Sequence, residues 1–279
     1  MRFRFFIFLA LSGGLLVRPA GADIVVLVHG YASSANTWEA SGISSVLEAS
    51  GWARGGIVTP TASGTYFVPG PGNRAANKSF SINLPSEAPL LLQAHYLGAA
   101  LLGIRQQYAE ERLILAGHSA GGVVARLVLL GGNPYHVNAL ITIASPHLGT
   151  VRAAQGLDAV DSKPFFCPGP GIDFLKSLFG GDDYRYLKYS RGVLIDLLPA
   201  SPGSLVFWLN QQAHPDIPYY AVVRQAPFAL GDELVPAYSQ DMNNVPALHG
   251  RVNVQITSAG HGLVPQDGAL LADILAKLG

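Results

Sequence analysis

Leu113-Ile114-Leu115-Ala116-Gly117-His118-Ser119-Ala120-Gly121-Gly122-Val123-Val124-Ala125-Arg126-Leu127 decides how this chain folds. Leu113 to Ala116 is an apolar run suited to a strand buried on both faces. Gly121 to Leu130 reads as an apolar helix. The pentapeptide Gly117-His118-Ser119-Ala120-Gly121 between them matches G-x-S-x-G, which holds a serine on a sharp strand-to-helix turn above a sheet edge. Alone the match is weak, and the flanking strand and helix give it weight. A serine that only caps a helix is the plainer alternative. Capping, however, requires neither glycine, whereas a close strand–helix crossing requires both.

Outward from this turn, strands and helices alternate. Ile24 to Val28 is a β-branched run ending in His29-Gly30-Tyr31, and a helix is expected over Ile43 to Ala49. A short strand is expected near Ile57-Val58, then a long Gly-, Pro-, Ser- and Asn-rich loop over 61–85. Glu87 to Tyr108 shows helical spacing through Leu91, Leu92, His95, Leu97, Ala99 and Leu102. Leu140 to Ile143, Tyr219 to Val223 and Val252 to Ile256 read as strands, and Pro265 to Leu278 as a closing helix. Such alternation means an α/β fold with a mostly parallel sheet and helices on both faces. Residues 146–217 interrupt it. This stretch is far longer than an ordinary connection and carries Phe165, Phe166, Phe174, Leu175, Leu178, Phe179, Val206, Phe207, Trp208 and Leu209. It is expected to be a lid or cap inserted in one catalytic domain, 23–279.

Composition narrows the class. The 279 residues hold 18 Lys+Arg against 18 Asp+Glu, only 13% charged and 49% hydrophobic. That apolar content excludes intrinsic disorder, and the absence of a basic excess or basic run argues against nucleic acid as a partner. Arg2 and Arg4 precede an apolar run from Phe5 to Val17, and Ala20-Gly21-Ala22 supplies an A-x-A cleavage pattern. Residues 1–22 are therefore expected to be a signal peptide, removed on export to the periplasm or the medium. Losing Arg2, Arg4 and Arg18 leaves 15 basic and 18 acidic residues, a net charge of −3. Cys167 is the only cysteine, so no internal disulfide can form. It reads as a small buried hydrophobe, with a reactive thiol or an intermolecular bridge as alternatives. No Cys/His spacing suggests a metal site, and no cofactor is expected.

A serine hydroxyl becomes nucleophilic only when a base takes its proton. In this strand order an acid and then a histidine follow the serine, each after a later strand. His261, in Ser258-Ala259-Gly260-His261-Gly262, follows the strand ending at Ile256. His249 precedes that strand and His214 comes too early, so both read as ordinary loop residues. Asp232, in Gly231-Asp232-Glu233-Leu234-Val235-Pro236, is the expected acid, with Glu233 and Asp241 as alternatives. Backbone N–H groups of Ala120, after the serine, and Tyr31, after the first strand, are the expected oxyanion donors. His29 as a base is a further alternative to an imidazole packed beneath that loop.

Together Leu27-Val28-His29-Gly30-Tyr31, Leu115-Ala116-Gly117-His118-Ser119-Ala120-Gly121-Gly122, Ile143-Ala144-Ser145-Pro146-His147-Leu148-Gly149-Thr150 and the Gly231–Pro236 segment resemble the bacterial triacylglycerol lipases of the α/β-hydrolase fold. The resemblance covers most of 24–150 and the two later loops, and is thin over 151–217. It implies an exported serine hydrolase that cleaves lipid-like carboxylic esters through a Ser-His-Asp triad and an acyl-enzyme. Ester or lipid substrates and transient contact with a lipid interface are the partners it implies. Many such lipases hold calcium through an aspartate two residues after the histidine. Leu263 stands there in this chain, so no calcium site carries over. A thioesterase, amidase or acyltransferase using the same three residues, or a non-catalytic binding protein on this scaffold, are the alternative functions. Nothing in the sequence specifies an oligomeric state.

Overall fold

A computed structural model describes residues 22–161, 189–225 and 231–279. The expected leader up to Gly21, Cys167, and the six apolar residues from Phe165 to Phe179 in the insertion lie outside them. Among the described residues eight strands form one sheet: β1 (Asp23–Val28), β2 (Ala53–Thr61), β3 (Gly64–Pro69), β4 (Lys78–Ile82), β5 (Arg112–His118), β6 (Val137–Ile143), β7 (Tyr219–Arg224) and β8 (Val252–Thr257). Their order is β3-β2-β4-β1-β5-β6-β7-β8, and every neighbouring pair is parallel except β2 with β3. The described helices are α1 (Thr37–Ala40), α2 (Ile43–Ala49), α3 (Leu90–Gln107), α4 (Ala120–Val128), α5 (Val151–Asp161), α6 (Arg191–Asp196), α7 (Leu205–Asn210), α8 (Ala237–Gln240) and α9 (Pro265–Leu278).

The central strands explain the layering. Side chains alternate across a strand, so Val26 and Val28 meet α3 and α4 through Leu97, Leu101, Val123 and Val124. Val25 and Leu27 face the opposite way, toward Ile43 and Leu47 of α2 and Leu271 and Ile274 of α9. All of these side chains are buried, which is why β1 and β5 read as unbroken apolar runs.

The structure corrects two expectations. The region expected as a loop over 61–85 contains β3, β4 and the end of β2. Lys78-Ser79-Phe80-Ser81-Ile82 is too polar to announce a buried strand, yet its five residues are all buried. Lys78 manages this because its ammonium meets both Glu111 oxygens at 2.8 and 2.9 Å and lies 4.6 Å from the Tyr108 ring centre. A buried charge with such partners avoids the cost of an unpaired one. The second correction concerns the face of α3. Leu91, Leu92 and Leu102 are exposed, whereas Leu90, Leu97, Ala100, Leu101 and Ile104 are buried.

Candidate active site

Ser119 joins β5 to α4 at φ 53° and ψ −129°, a conformation L-residues rarely adopt. Its neighbours make room for it. A Cβ on Gly121 would lie 2.3 Å from the His29 carbonyl oxygen, and one on Gly117 would lie 2.6 Å from Gly122 Cα. The α4 N-terminus can therefore press against the end of β1 only with glycine at 121, and against the end of β5 only with glycine at 117. The Ser119 N–H donates to the Ile143 carbonyl at 2.9 Å, which ties the turn to β6.

Two later loops reach this turn. His261 Nε2 stands 2.9 Å from Ser119 Oγ, so the hydroxyl can donate to it. His261 Nδ1–H donates to Asp232 Oδ2 at 2.9 Å. The Asp232 side chain is screened from solvent. Its Oδ1 accepts the Leu234 and Val235 N–H groups at 2.8 and 2.6 Å, and its Oδ2 also accepts from the Gln240 amide at 3.0 Å. Burial works against its ionisation. The His261 contact and the two backbone donors outweigh that and hold the carboxyl below the usual range. The structure thus brings Ser119, His261 and Asp232 into one relay of hydrogen bonds. Such a relay can carry the hydroxyl proton to the imidazole while the carboxylate fixes the tautomer.

The other sequence candidates fall elsewhere. Glu233 accepts the backbone N–H of His261 and does not meet the ring. Asp241 accepts the Asn243 N–H at 2.8 Å. The buried His29 accepts the Leu84 N–H on Nε2 at 3.0 Å and donates from Nδ1 to the Gly30 carbonyl at 2.9 Å, so it is packed beneath the loop. His249 is an exposed loop residue that donates to the Asn243 carbonyl. His214 lies in a loop as expected, and its Nε2 accepts from the buried Arg126 at 3.3 Å.

Ala120 begins α4 directly after Ser119. Tyr31 stands beside Gly30, on which a Cβ would lie 2.8 Å from Ser119 Cβ. Backbone from the β1 loop and from α4 thus flanks the serine on two sides. Tyr31, His118, Ser119 and His261 open on a cavity of about 280 Å³, otherwise walled mainly by Ala153, Leu194, Leu197, Leu234 and Val235. Arg152 and Glu233 stand at its edge, the Arg152 guanidinium donating to the Glu233 carbonyl at 2.9 Å. Leu194 and Leu197, which α6 and its C-terminal end bring in, carry no pattern of their own that marks them as cavity residues. His118, which also lines the cavity, donates through Nε2 to the His261 carbonyl at 2.9 Å. Burial, and then the neighbouring His261, push the His118 ring down to about 3, so it stays neutral. Among the described residues no group of three or more His, Cys, Asp and Glu could hold a metal ion, and no helix is long and apolar enough to cross a membrane.

The strand order and the serine turn define an α/β-hydrolase fold. The family model of the PGAP1-like alpha/beta domain matches residues 77–159. The GPI inositol-deacylase of Kluyveromyces lactis is 32% identical over 127 residues, 40% of this chain and 13% of that protein. GPI inositol-deacylase B of Yarrowia lipolytica is 41% identical over 70 residues, 21% of this chain and 7% of that protein. The chain thus spans only a small part of the curated relatives it matches. Among solved structures, the mature form of the Bacillus licheniformis lipase BlEst2 is similar over 93% of each chain, with TM-score 0.60 and 17% identity. The Pyrococcus furiosus esterase PF2001 is similar over 93% of this chain and 82% of its own, with TM-score 0.55 and 14% identity. Both share the fold.

Proposed function

We propose that this protein is an exported serine hydrolase that cleaves carboxylic esters with lipid-like acyl groups. The observation that carries the reading is the Ser119–His261–Asp232 relay at the mouth of an apolar cavity. Ser119 Oγ attacks the ester carbonyl carbon and its proton passes to His261 Nε2. Asp232 stabilises the imidazolium, and the Tyr31 and Ala120 N–H groups receive the developing oxyanion. Such donors lower barriers by roughly 3–4 kcal/mol each. The alcohol departs with the proton from His261, leaving Ser119 acylated. Water, deprotonated by the same imidazole, then frees the acid. The insertion over 146–217 serves as the lid that frames the acyl chain, consistent with the α6 leucines in the cavity wall. The residue pattern of 1–22 supports export. The deacylase names of the partial relatives support an acyl group carried on inositol as one substrate class.

Incubation with a fluorophosphonate probe, followed by a panel of p-nitrophenyl esters from acetate to octanoate, tests this reading. The expected result is covalent labelling at Ser119 and ester turnover, both lost in Ser119→Ala. An unlabelled chain would favour a binding protein on a hydrolase scaffold. A labelled chain active only on thioesters or amides would keep the triad and move the substrate.

A further inference from the structure

Gln240, the last residue of α8, is buried and touches neither Ser119 nor the cavity, yet both ends of its side chain are engaged. Its Oε1 accepts the backbone N–H of Arg224, the last residue of β7, at 2.7 Å. Its Nε2 donates to Asp232 Oδ2 at 3.0 Å and to the Val235 carbonyl at 2.7 Å. The amide can face only one way. A flip would set its oxygen against a carboxylate and a carbonyl, neither of which can donate, and its NH₂ against the Arg224 N–H.

Asp232 consequently receives four donors: Leu234 N–H and Val235 N–H on Oδ1, Gln240 and His261 on Oδ2. Three are fixed by the acid loop and α8. The remaining lone pair on Oδ2 is the one aimed at His261. Arg224 carries the same arrangement to the histidine loop. Its guanidinium forms a buried ion pair with Asp267 at 2.6 and 2.7 Å, and reaches Thr257 Oγ1 at 2.8 Å and the Gly262 carbonyl at 3.4 Å. The backbone of Arg224 therefore holds the acid through Gln240, while its side chain holds the segments on either side of His261.

We infer that Gln240 is a positioning residue for Asp232, fixing the rotation of its carboxylate and tying the acid loop to the end of β7 that also anchors the histidine loop. The inference rests on the triad reading above. Without the Gln240 donor the carboxylate can turn away from Nδ1. A displacement of about 1 Å in such a relay can cost on the order of a hundredfold in rate.

The test compares the full chain with Gln240→Met and Gln240→Glu, following fluorophosphonate inactivation rates across pH, p-nitrophenyl ester kinetics and melting temperature. Gln240→Met should slow inactivation and kcat by about 10- to 100-fold while KM stays within about threefold. Gln240→Glu keeps the acceptor for Arg224 and sets a second carboxyl beside Asp232. Two carboxyls packed together share one proton. The new acid therefore still donates to Asp232 at low pH and loses that donor as the pair ionises, so inactivation should approach the wild-type rate on the acid side and fall below it as pH rises. Folded variants that react at the wild-type rate would overturn the inference. A Gln240→Glu slowed by the same factor at every pH would overturn it too, since loosened packing alone gives that result. If Gln240→Met fails to fold, the nearly isosteric Gln240→Glu still decides between these outcomes. A wild-type chain that does not label at Ser119 would instead remove the triad reading, and the inference with it.

Discussion

The backbone N–H of His261 donates to the Glu233 carboxylate at 3.1 and 3.3 Å, while the His261 ring donates to the neighbouring Asp232. Adjacent acidic residues thus hold the histidine at its two ends, and only one of them touches the ring. Asp232→Asn should lower kcat by about 10⁴, because an amide in place of the carboxylate favours the wrong tautomer. Glu233→Gln leaves an oxygen able to accept the same N–H and should cost no more than about tenfold. Steady-state kinetics on one soluble ester decides the matter, and the reverse ranking would transfer the acid role to Glu233.

Ser119 supplies the second prediction. Its φ of 53° with ψ of −129° is a glycine conformation held by a residue with a Cβ, and such strain costs on the order of 1–3 kcal/mol. Alanine keeps the Cβ and hence the strain, whereas glycine releases it. Against this, glycine loses about 1 kcal/mol more backbone entropy on folding. Ser119→Gly should therefore unfold about 2–4 °C above Ser119→Ala, with both inactive. Calorimetry showing Ser119→Ala as the more stable would mean that the turn stores no strain.

How far the sequence disclosed these features depends on where each signal resides. Ser119, His261 and Asp232 were legible because each lies in a short glycine-containing segment that follows a strand. The strands β1, β5, β6 and β7 were legible because burial on both faces leaves their interiors mostly apolar. β4 was hidden because Lys78 and two serines occupy a buried strand, made tolerable by Glu111 and Tyr108, residues about thirty positions away. Gln240 was hidden for a similar reason. Its partners, Arg224 and Asp232, are brought together only by the fold, and glutamine in a short helix carries no pattern of its own.

The third prediction follows from neutral buried histidines. Arg126, fully buried, donates to His147 Nδ1 at 3.5 Å and to His214 Nε2 at 3.3 Å, and to Asn210 Oδ1 at 3.0 Å. Burial first, and then the Arg126 charge, push His147 well below the ordinary histidine range and His214 down to about 4. His118 is held to about 3 by burial and by His261. The folded state keeps these rings neutral, while the unfolded chain protonates them near pH 6.5. Stability from this source is complete above about pH 6.5 and drains as pH falls toward the folded values. A fully buried ring removes up to about 1.4 kcal/mol per pH unit in that window. Melting temperature should thus fall steadily from pH 6.5 to 4.5, and less steeply in His214→Gln. A flat profile would mean that the rings are protonated in the fold.

The last prediction separates the acyl pocket from the exposed apolar surface. Val206 and Leu209 of α7 are buried in the core, while Phe207 and Trp208 are 36% and 46% exposed and lie outside the cavity wall. Leu194 and Leu197 are the apolar residues of the 189–217 segment that reach the cavity. Chain-length preference should therefore answer to the leucines, and adsorption to lipid aggregates to the aromatic pair. Leu194→Phe fills part of a cavity of about 280 Å³. A few methylenes lost from contact, each worth about 0.8 kcal/mol, should lower the octanoate-to-acetate ratio of kcat/KM by tenfold or more. Phe207→Ala with Trp208→Ala should leave that ratio unchanged on dissolved esters. The pair should instead blunt the rise in activity as substrate passes its solubility limit, because an exposed apolar patch favours lipid surfaces. A changed ratio in the aromatic double variant would place Phe207 and Trp208 over the acyl chain. Plain saturation through the solubility limit in the wild type, with acetate preferred, would make the protein a short-chain esterase with no role for a lipid surface.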